Sequence, residues 1–470
     1  MVASRVRIAV TAVFLVGLCW TARASAATIT AASCQLPAVQ AAVNSANNGD
    51  TVNIPAGSCT WTSAVAWENK NISLIGAGIG QTVITGDFAR MFAIYITNAA
   101  AGAFRVSGMT LAGTSNLTNE VFLIYSGGLA AIPSGRWRID HIHFNYPAGQ
   151  REGVHVQGVN YGVFDHNTID WHSGLFMYVQ SAMANECGGG GPDLSGAFAL
   201  QSQLDLGTDK FVFMEDNHFI PHRFDNPLWV FDSTGGGARL VYRHNSGDAT
   251  QIYNHWTRGC EMAGLVFEIY NNSFTNGGYD QQYPVRLEAG TGVMFSNYSN
   301  ANGGAPFVYL DDRRAARTSG ATAGSPLGEC DGTHPFEGNA DAAAPGWPCL
   351  GQIGRNPYVD KAGFSDTWAA LKAGKRQGSA PFYMWNNGTQ PTCATGGACT
   401  NVIAAWAVPA THIKKTPHPN GEVDYVEGAP MPGYTPYVYP HPLVSGSAAE
   451  SGGSTSAPAP PTNVRVVGGL

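Results

Sequence analysis

The sequence predicts an all-β fold, a single-stranded parallel β-helix, and three observations lead there. A short pattern recurs with a period near 25 residues: Phe164-Asp-His-Asn167, Met214-Glu-Asp-Asn217, Tyr242-Arg-His-Asn245, Ile269-Tyr-Asn-Asn272 and Met294-Phe-Ser-Asn297, with Ile139-Asp-His-Ile142 as an earlier copy. Repeats of this length mark solenoids. Each copy is strand-like, with apolar alternation, β-branched and aromatic residues and then a turn residue, and no convincing helix separates the copies. Composition agrees: 58 glycines suit many tight turns, and a charged fraction of only 13% suits buried strands.

The elements follow in chain order. Residues 1–26 read as a secretory signal peptide, with Arg5 and Arg7 ahead of an apolar run and Ala24-Ser25-Ala26 as a small-residue cleavage site. That run is too short to span a bilayer, and no other membrane segment is visible. Residues 36–46 form the best helix candidate, because Val39, Ala42, Val43 and Ala46 fall at helical spacing. An open solenoid end exposes strand edges and core, so this helix is expected to be its cap. Strands then run from about Val52 to Leu310, giving a solenoid domain of residues 27–320. The repeated asparagine is expected to stack from rung to rung as a structural ladder and to supply left-handed backbone at a corner.

Beyond Arg317 the pattern stops. Residues 321–445 are rich in Gly, Pro and Cys and are expected to pack irregularly on the solenoid, with a short helix at 364–375. Residues 432–443 contain too many prolines for a paired central strand, and their tyrosines suit an extended segment laid on the wall. Residues 446–470 are a Ser/Pro/Ala-rich flexible tail.

Charge and cysteines bound the function. The net charge is −7, and loss of Arg5, Arg7 and Arg23 with the signal would take it to −10, which argues against nucleic-acid binding. Nine cysteines become eight without Cys19, an even count that suggests disulfides in an exported chain. Sequence proximity favours Cys34–Cys59, Cys330–Cys349 and Cys393–Cys399, leaving Cys187–Cys260. The expected setting is extracellular or periplasmic, and the expected state a monomer.

Three stretches resemble the pectate-lyase-like right-handed parallel β-helix family. Trp137-Arg-Ile-Asp140-His141-Ile-His-Phe144 is similar to its W-I-D-H-x-x-F strand. Glu152-Gly-Val-His155-Val-Gln, followed by Tyr161-Gly-Val-Phe-Asp-His-Asn-Thr-Ile169, is similar to D-G-x-x-D-I … V-T-V-S-x-N-x-F. Tyr270-Asn-Asn-Ser-Phe274 and the run from Pro284 through Arg286 to Asn297-Tyr298 are similar to x-N-x-F … R-x-P-x-x-R-x-G-x-x-H-x-x-N-N-Y. The resemblance covers residues 137–298 and implies right-handed coiling, cleavage of uronate polysaccharides by β-elimination, and a calcium ion bridging acidic side chains and the substrate carboxylate. It places Asp140 and Glu152 as calcium ligands and Arg286 as a carboxylate clamp. His155 stands where the family has a second calcium Asp. The family's usual base, the first Arg, is absent, with Gln282 or Tyr283 nearest, and its Lys is missing from the 172–174 region.

The residues also offer candidates of their own. Asp140, Asp165 and Glu215 share one slot in successive copies and should stack as a carboxylate column, with Arg243 next. Stacked like charges repel, so either a metal or sugar site or an exposed salt ladder capped by Arg243 would satisfy them. Tyr253, His255, Trp256, Arg258 and Arg286 gather on neighbouring rungs. There His255 could be a general base, Tyr253 an acid, and Arg258 and Arg286 planar carboxylate clamps. Trp171, Trp229 and Trp256 could stack on sugars, with Arg243 as a further substrate contact. Alternatively, these residues pack a loop onto the wall. Three classes stay open: a lyase acting on an anionic polysaccharide, a β-helix glycoside hydrolase with paired carboxylates, and a non-catalytic glycan-binding solenoid.

Overall fold

The structure is a computed structural model that describes residues 26–86, 90–97, 103–113, 120–126, 136–146, 152–158, 161–171, 174–180, 204–220, 228–232, 238–248, 250–254, 264, 266–275, 284–288, 290–299, 308–310, 353–359, 377–389, 413–418 and 421–445. The signal-peptide residues, the helix expected at 364–375, the tail and the three other cysteine pairs lie outside these.

The chain coils as a parallel β-helix. A 20-stranded sheet and a nine-stranded sheet run the length of the solenoid. The strand Arg136–Tyr146 shows how one rung is made. Its first half pairs in parallel with Tyr161–Asp165 and its second half with Thr168–Trp171. The bend between the halves falls at His141, whose φ is 52°. The larger sheet is therefore two faces sharing a corner, and the nine-stranded sheet closes the third side.

The corner corrects one sequence expectation. The residue in left-handed backbone is the one before each asparagine: His166 (φ 54°), Asp216 (57°), His244 (58°), Asn271 (57°), Ser296 (55°) and Asn386 (53°). Most of these are short polar or His side chains that tolerate this region. The asparagines themselves turn inward and form the expected ladder. Asn167 Nδ2 donates to Asn217 Oδ1 at 3.0 Å, Asn217 to Asn245 at 2.9 Å, Asn245 to Asn272 at 3.2 Å and Asn272 to Asn297 at 2.8 Å. Each oxygen also accepts a backbone N–H, as Asn245 Oδ1 does from Asn217 at 3.0 Å. All five side chains are buried, so the ladder satisfies polar groups that water cannot reach.

In-register stacking also builds the core. Ile139, Phe164, Met214, Tyr242, Ile269 and Met294 follow one another through the paired strands, and none is more than 1% exposed. Each contributes about 1.5–3 kcal/mol of burial. The N-terminal end is covered by helix α1 (Leu36–Ser45), which buries Val39, Ala42 and Val43. Lys70 caps its last carbonyls, donating to Val43, Asn44 and Ala46. The Cys34–Cys59 disulfide ties the approach to this helix to the first rungs.

The rungs do not stop near residue 320. Phe382–Trp385 pairs in parallel with Thr291–Phe295, and Tyr425–Glu427 pairs in turn with Phe382–Trp385. Asn387 extends the ladder, accepting from Asn297 Nδ2 at 2.9 Å. The run Phe382-Tyr-Met-Trp-Asn-Asn387 repeats the motif after a 90-residue gap, too far to be read as the next copy.

Candidate functional site

Two polar regions lie on different sheets. The first is the column Asp140, Asp165, Glu215 and Arg243. Register stacks it as expected, but all four residues are fully buried. Arg105 forks onto Asp140 at 2.7 and 2.6 Å, and Arg138 onto Asp165 at 2.8 and 2.6 Å. Arg243 holds Glu215 at 2.5 Å. Burial acts to raise the Asp140 carboxyl, but the bond from Arg105 and the charge of Arg138 outweigh it and hold it below the ordinary range. The carboxylates are thus matched to arginines rather than gathered around one point, and Arg243 is enclosed rather than offered to a substrate.

A C-terminal strap that ends in the short helix Pro442–Ser445 closes over this column. Arg243 donates to the carbonyls of Tyr437 at 2.8 Å and Val438 at 2.9 Å, and Arg138 to those of Leu443 and Val444 at 3.2 Å. The His441 N–H reaches Glu215 at 2.9 Å. Tyr434 donates to the buried Glu268 at 2.5 Å, and Gly207 N–H donates to the same carboxyl at 2.6 Å. Burial pushes Glu268 up to about 7. Glu268 therefore anchors the strap. Asp205 is engaged by Lys210 and Arg239, and Asp209 by Arg136.

The second region lies on the nine-stranded sheet. One register position recurs through its strands: Leu123, His155, Tyr178, the Asp232 backbone, Tyr253, Arg286 and Tyr309. The flanking Ile252, Val285, Leu287, Val308 and Leu310 belong to the continuous core cluster and this row lies outside it, although Leu123, Tyr253 and Tyr309 are themselves buried. Strand spacing puts His155 about 19 Å from Arg286, four rungs along. The Arg286 guanidinium lies between the rings of Tyr253 (4.8 Å) and Tyr309 (5.2 Å). Beneath it, Glu288 bonds Arg286 Nη2 at 3.1 Å and accepts from Tyr253 Oη at 2.7 Å. Two rings and a carboxylate fix the guanidinium plane, while 19% of the Arg286 side chain stays exposed.

At the other end of the row, Glu120 and Glu152 face each other across adjacent strands. Their oxygens and a ring nitrogen of His155 lie within 4.8 Å of one another, and this is the group of three metal-type donors that the described residues bring together. His155 Nδ1 sits 3.2 Å from Glu152, Arg90 Nη2 sits 2.9 Å from Glu120, and the His155 ring packs edge-on against Tyr178 at 4.6 Å. Among the described residues, His155 Nε2 has no hydrogen-bond partner.

Calcium, which the resemblance implies, prefers about six to eight oxygen ligands. Among the described residues this corner offers two carboxylates, each already facing a nitrogen group, plus an imidazole, which is short of that set.

Of the residues singled out by sequence, the structure brings Tyr253 and Arg286 together and places Glu152 in the acidic cluster. His255, Trp256 and Arg258 lie outside the described residues. So does the Trp229 side chain, although its backbone is in register with Leu175 and Gln251. Trp171 is fully buried against Phe176 and Tyr146, because strand alternation turns it inward, so it is no sugar platform. The sequence reading missed Glu120, Tyr178, Glu288 and Tyr309. Glu120 had a findable signal, since it opens the strand Glu120–Ser126 one rung before Glu152 opens its own.

Fold and row together define a parallel β-helix that carries a polar, aromatic-flanked row across one sheet. No protein-family model and no curated protein matches the chain. Among solved structures it is similar to the alginate lyase from Paenibacillus sp. str. FPU-7, with 16% identity and a TM-score of 0.35, covering 60% of this chain and 98% of that one. It is also similar to the catalytic domain of a GH87 alpha-1,3-glucanase in complex with nigerose, with 9% identity and a TM-score of 0.23, covering 86% and 68%. At such scores the likenesses say nothing about chemistry.

Proposed function

We propose that the protein is a secreted polysaccharide-active enzyme, a lyase that cleaves a uronate-containing glycan by β-elimination along the outward row of the nine-stranded sheet. The observation that carries this is the placement of Arg286. Its guanidinium carbon lies over the rings of Tyr253 and Tyr309, and the group is tied to Glu288. A planar donor set fixed this way suits bidentate recognition of a carboxylate. Elimination removes the proton next to that carboxylate, forms the double bond and expels the glycosidic oxygen. In this reading Arg286 holds the carboxylate, Tyr253 delivers a proton to the leaving oxygen, and His255, two residues along from Tyr253, takes the proton. No step uses calcium.

The close approach of Glu120 and Glu152 also suits a retaining glycoside hydrolase, whose carboxyls stand about 5 Å apart. One assay separates the two. Purified protein is incubated with pectate, alginate, glucuronan and glycosaminoglycans, with calcium and with chelator. Unsaturated uronates are followed by absorbance and reducing ends by titration. A lyase raises both signals on one substrate, and Arg286→Ala lowers the rate at least about 100-fold. Reducing ends without absorbance would establish the hydrolase. Silence in both would leave a glycan-binding solenoid.

A further inference from the structure

We infer that Glu288 is a positioning residue of the Arg286 site: it stays out of contact with the glycan and sets the separation between the carboxylate clamp and the hydroxyl acid. This rests on the lyase reading and gives a role to a buried carboxyl that the reading leaves unused. Alternate residues of an extended chain share a face, so Glu288 emerges on the same side as Arg286. Tyr253 stands in register with Arg286 one rung back, and a side chain of that length reaches the diagonal neighbour. Its Oη donates to Glu288 Oε1 at 2.7 Å, and Arg286 Nη2 meets that same oxygen at 3.1 Å. The Glu288 side chain is fully buried, so it acts through these two partners.

The chemistry of elimination gives the separation its weight. The leaving oxygen is carried by the carbon β to the carboxylate, so one sugar unit presents both groups at a fixed spacing. Clamp and acid must match that spacing together. The shared oxygen keeps the Tyr253 hydroxyl and the guanidinium within two hydrogen-bond lengths of each other. The rings of Tyr253 and Tyr309 resist lifting of the guanidinium more than sliding across their faces, and the bond to Glu288 stops the slide. A misplacement of about 1 Å in such a pair costs on the order of 100-fold in rate.

The test compares Glu288→Gln, Glu288→Asp and Glu288→Ala, each checked for fold by circular dichroism. Glu288→Gln keeps an acceptor oxygen at the same reach and loses the charge, whereas Glu288→Asp keeps the charge and shortens the reach. Positioning expects Glu288→Gln to hold kcat within about 10-fold of the wild type. Glu288→Asp and Glu288→Ala should lose about 100-fold in kcat, with a smaller rise in KM. Higher activity in Glu288→Asp than in Glu288→Gln would overturn the inference, since charge and not placement would then matter. Wild-type kcat and KM in folded Glu288→Asp would overturn it too, because a carboxyl that only fills the structure gives that result. Modification of Arg286 by phenylglyoxal, mapped by mass spectrometry, needs no glycan. It should run about 10-fold faster in Glu288→Asp and Glu288→Ala than in the wild type and Glu288→Gln. If the wild type cleaves no glycan but modification follows this order, the lyase reading fails and the hold of Glu288 on Arg286 stands. Equal modification rates throughout would overturn the inference whatever the cleavage assay shows. If Glu288→Ala fails to fold, the other two variants decide both comparisons.

Discussion

Among the described residues, Glu268 is a carboxyl with no charged partner in bonding contact; a tyrosine hydroxyl and a backbone N–H donate to it. Burial raises it from 4.5 to about 7 in the folded chain. Between those values the folded state holds a proton that the unfolded state has released. Stability from this group is therefore present at acid pH and is lost as pH rises through that window, by on the order of 3 kcal/mol. Glu268→Gln should flatten the pH dependence of the denaturant midpoint between pH 5 and 7; an unchanged slope would show that the carboxyl ionises freely where it stands. The asparagine ladder makes the second prediction at this scale. Asn245→Ala removes an acceptor from Asn217 and a donor to Asn272 and Met214 at once. It should cost about 3 kcal/mol in chemical unfolding, more than a surface substitution, because buried partners are left unmatched. The ladder was legible in sequence because one residue type recurs at one slot. The corner dihedral was not, because His, Asp, Asn and Ser share that position and no single type betrays it.

The element that sequence reading placed but could not describe is the strap. Its prolines excluded a central strand, and its tyrosines suggested a packing face. Nothing local showed that its carbonyls would be anchored by arginines some 200 to 300 positions earlier. The same distance hid the state of the carboxylate column: without the strap it reads as an exposed salt ladder, and beneath the strap it is dry. Arg243→Met should destabilise the chain by about 3–5 kcal/mol, since Glu215 is left buried without its cation. The double substitution Glu215→Leu/Arg243→Met should recover a large part of that loss in the same unfolding assay, although the strap loses its stitches at Tyr437 and Val438. Protease sensitivity of residues 430–445 should rise in both variants, and equal resistance to the wild type would show that other contacts hold the strap. At the row on the nine-stranded sheet, Tyr253 and Arg286 were legible from residue chemistry. Tyr178 and Tyr309 were not, because this sheet lacks a motif that marks its register; Glu120 could have been found from its place at the head of its strand.

A solenoid is held together rung by rung, so its ends matter more than its middle. Helix α1 covers the first rungs, and the Cys34–Cys59 bond fastens the chain just ahead of it. Reduction of that bond should lower stability by about 3 kcal/mol and should unfold the N-terminal rungs first, seen as early loss of amide protection around Thr51–Ile54. Simultaneous loss over all rungs would mean that the molecule melts as one unit. The strap adds a coupling that neighbouring rungs lack. It runs lengthwise, from the strand Val266–Tyr270 at Tyr434 to the strand Arg136–Tyr146 at Val444. Its anchors stand in file, so tension along the solenoid axis loads all of them together in shear. Tension that lifts residue 445 off the wall loads them singly, starting at Arg138. The same bonds thus make a fastening that resists sliding and yields to peeling, and an outward tug at that end would bare the buried arginines before any rung unravelled.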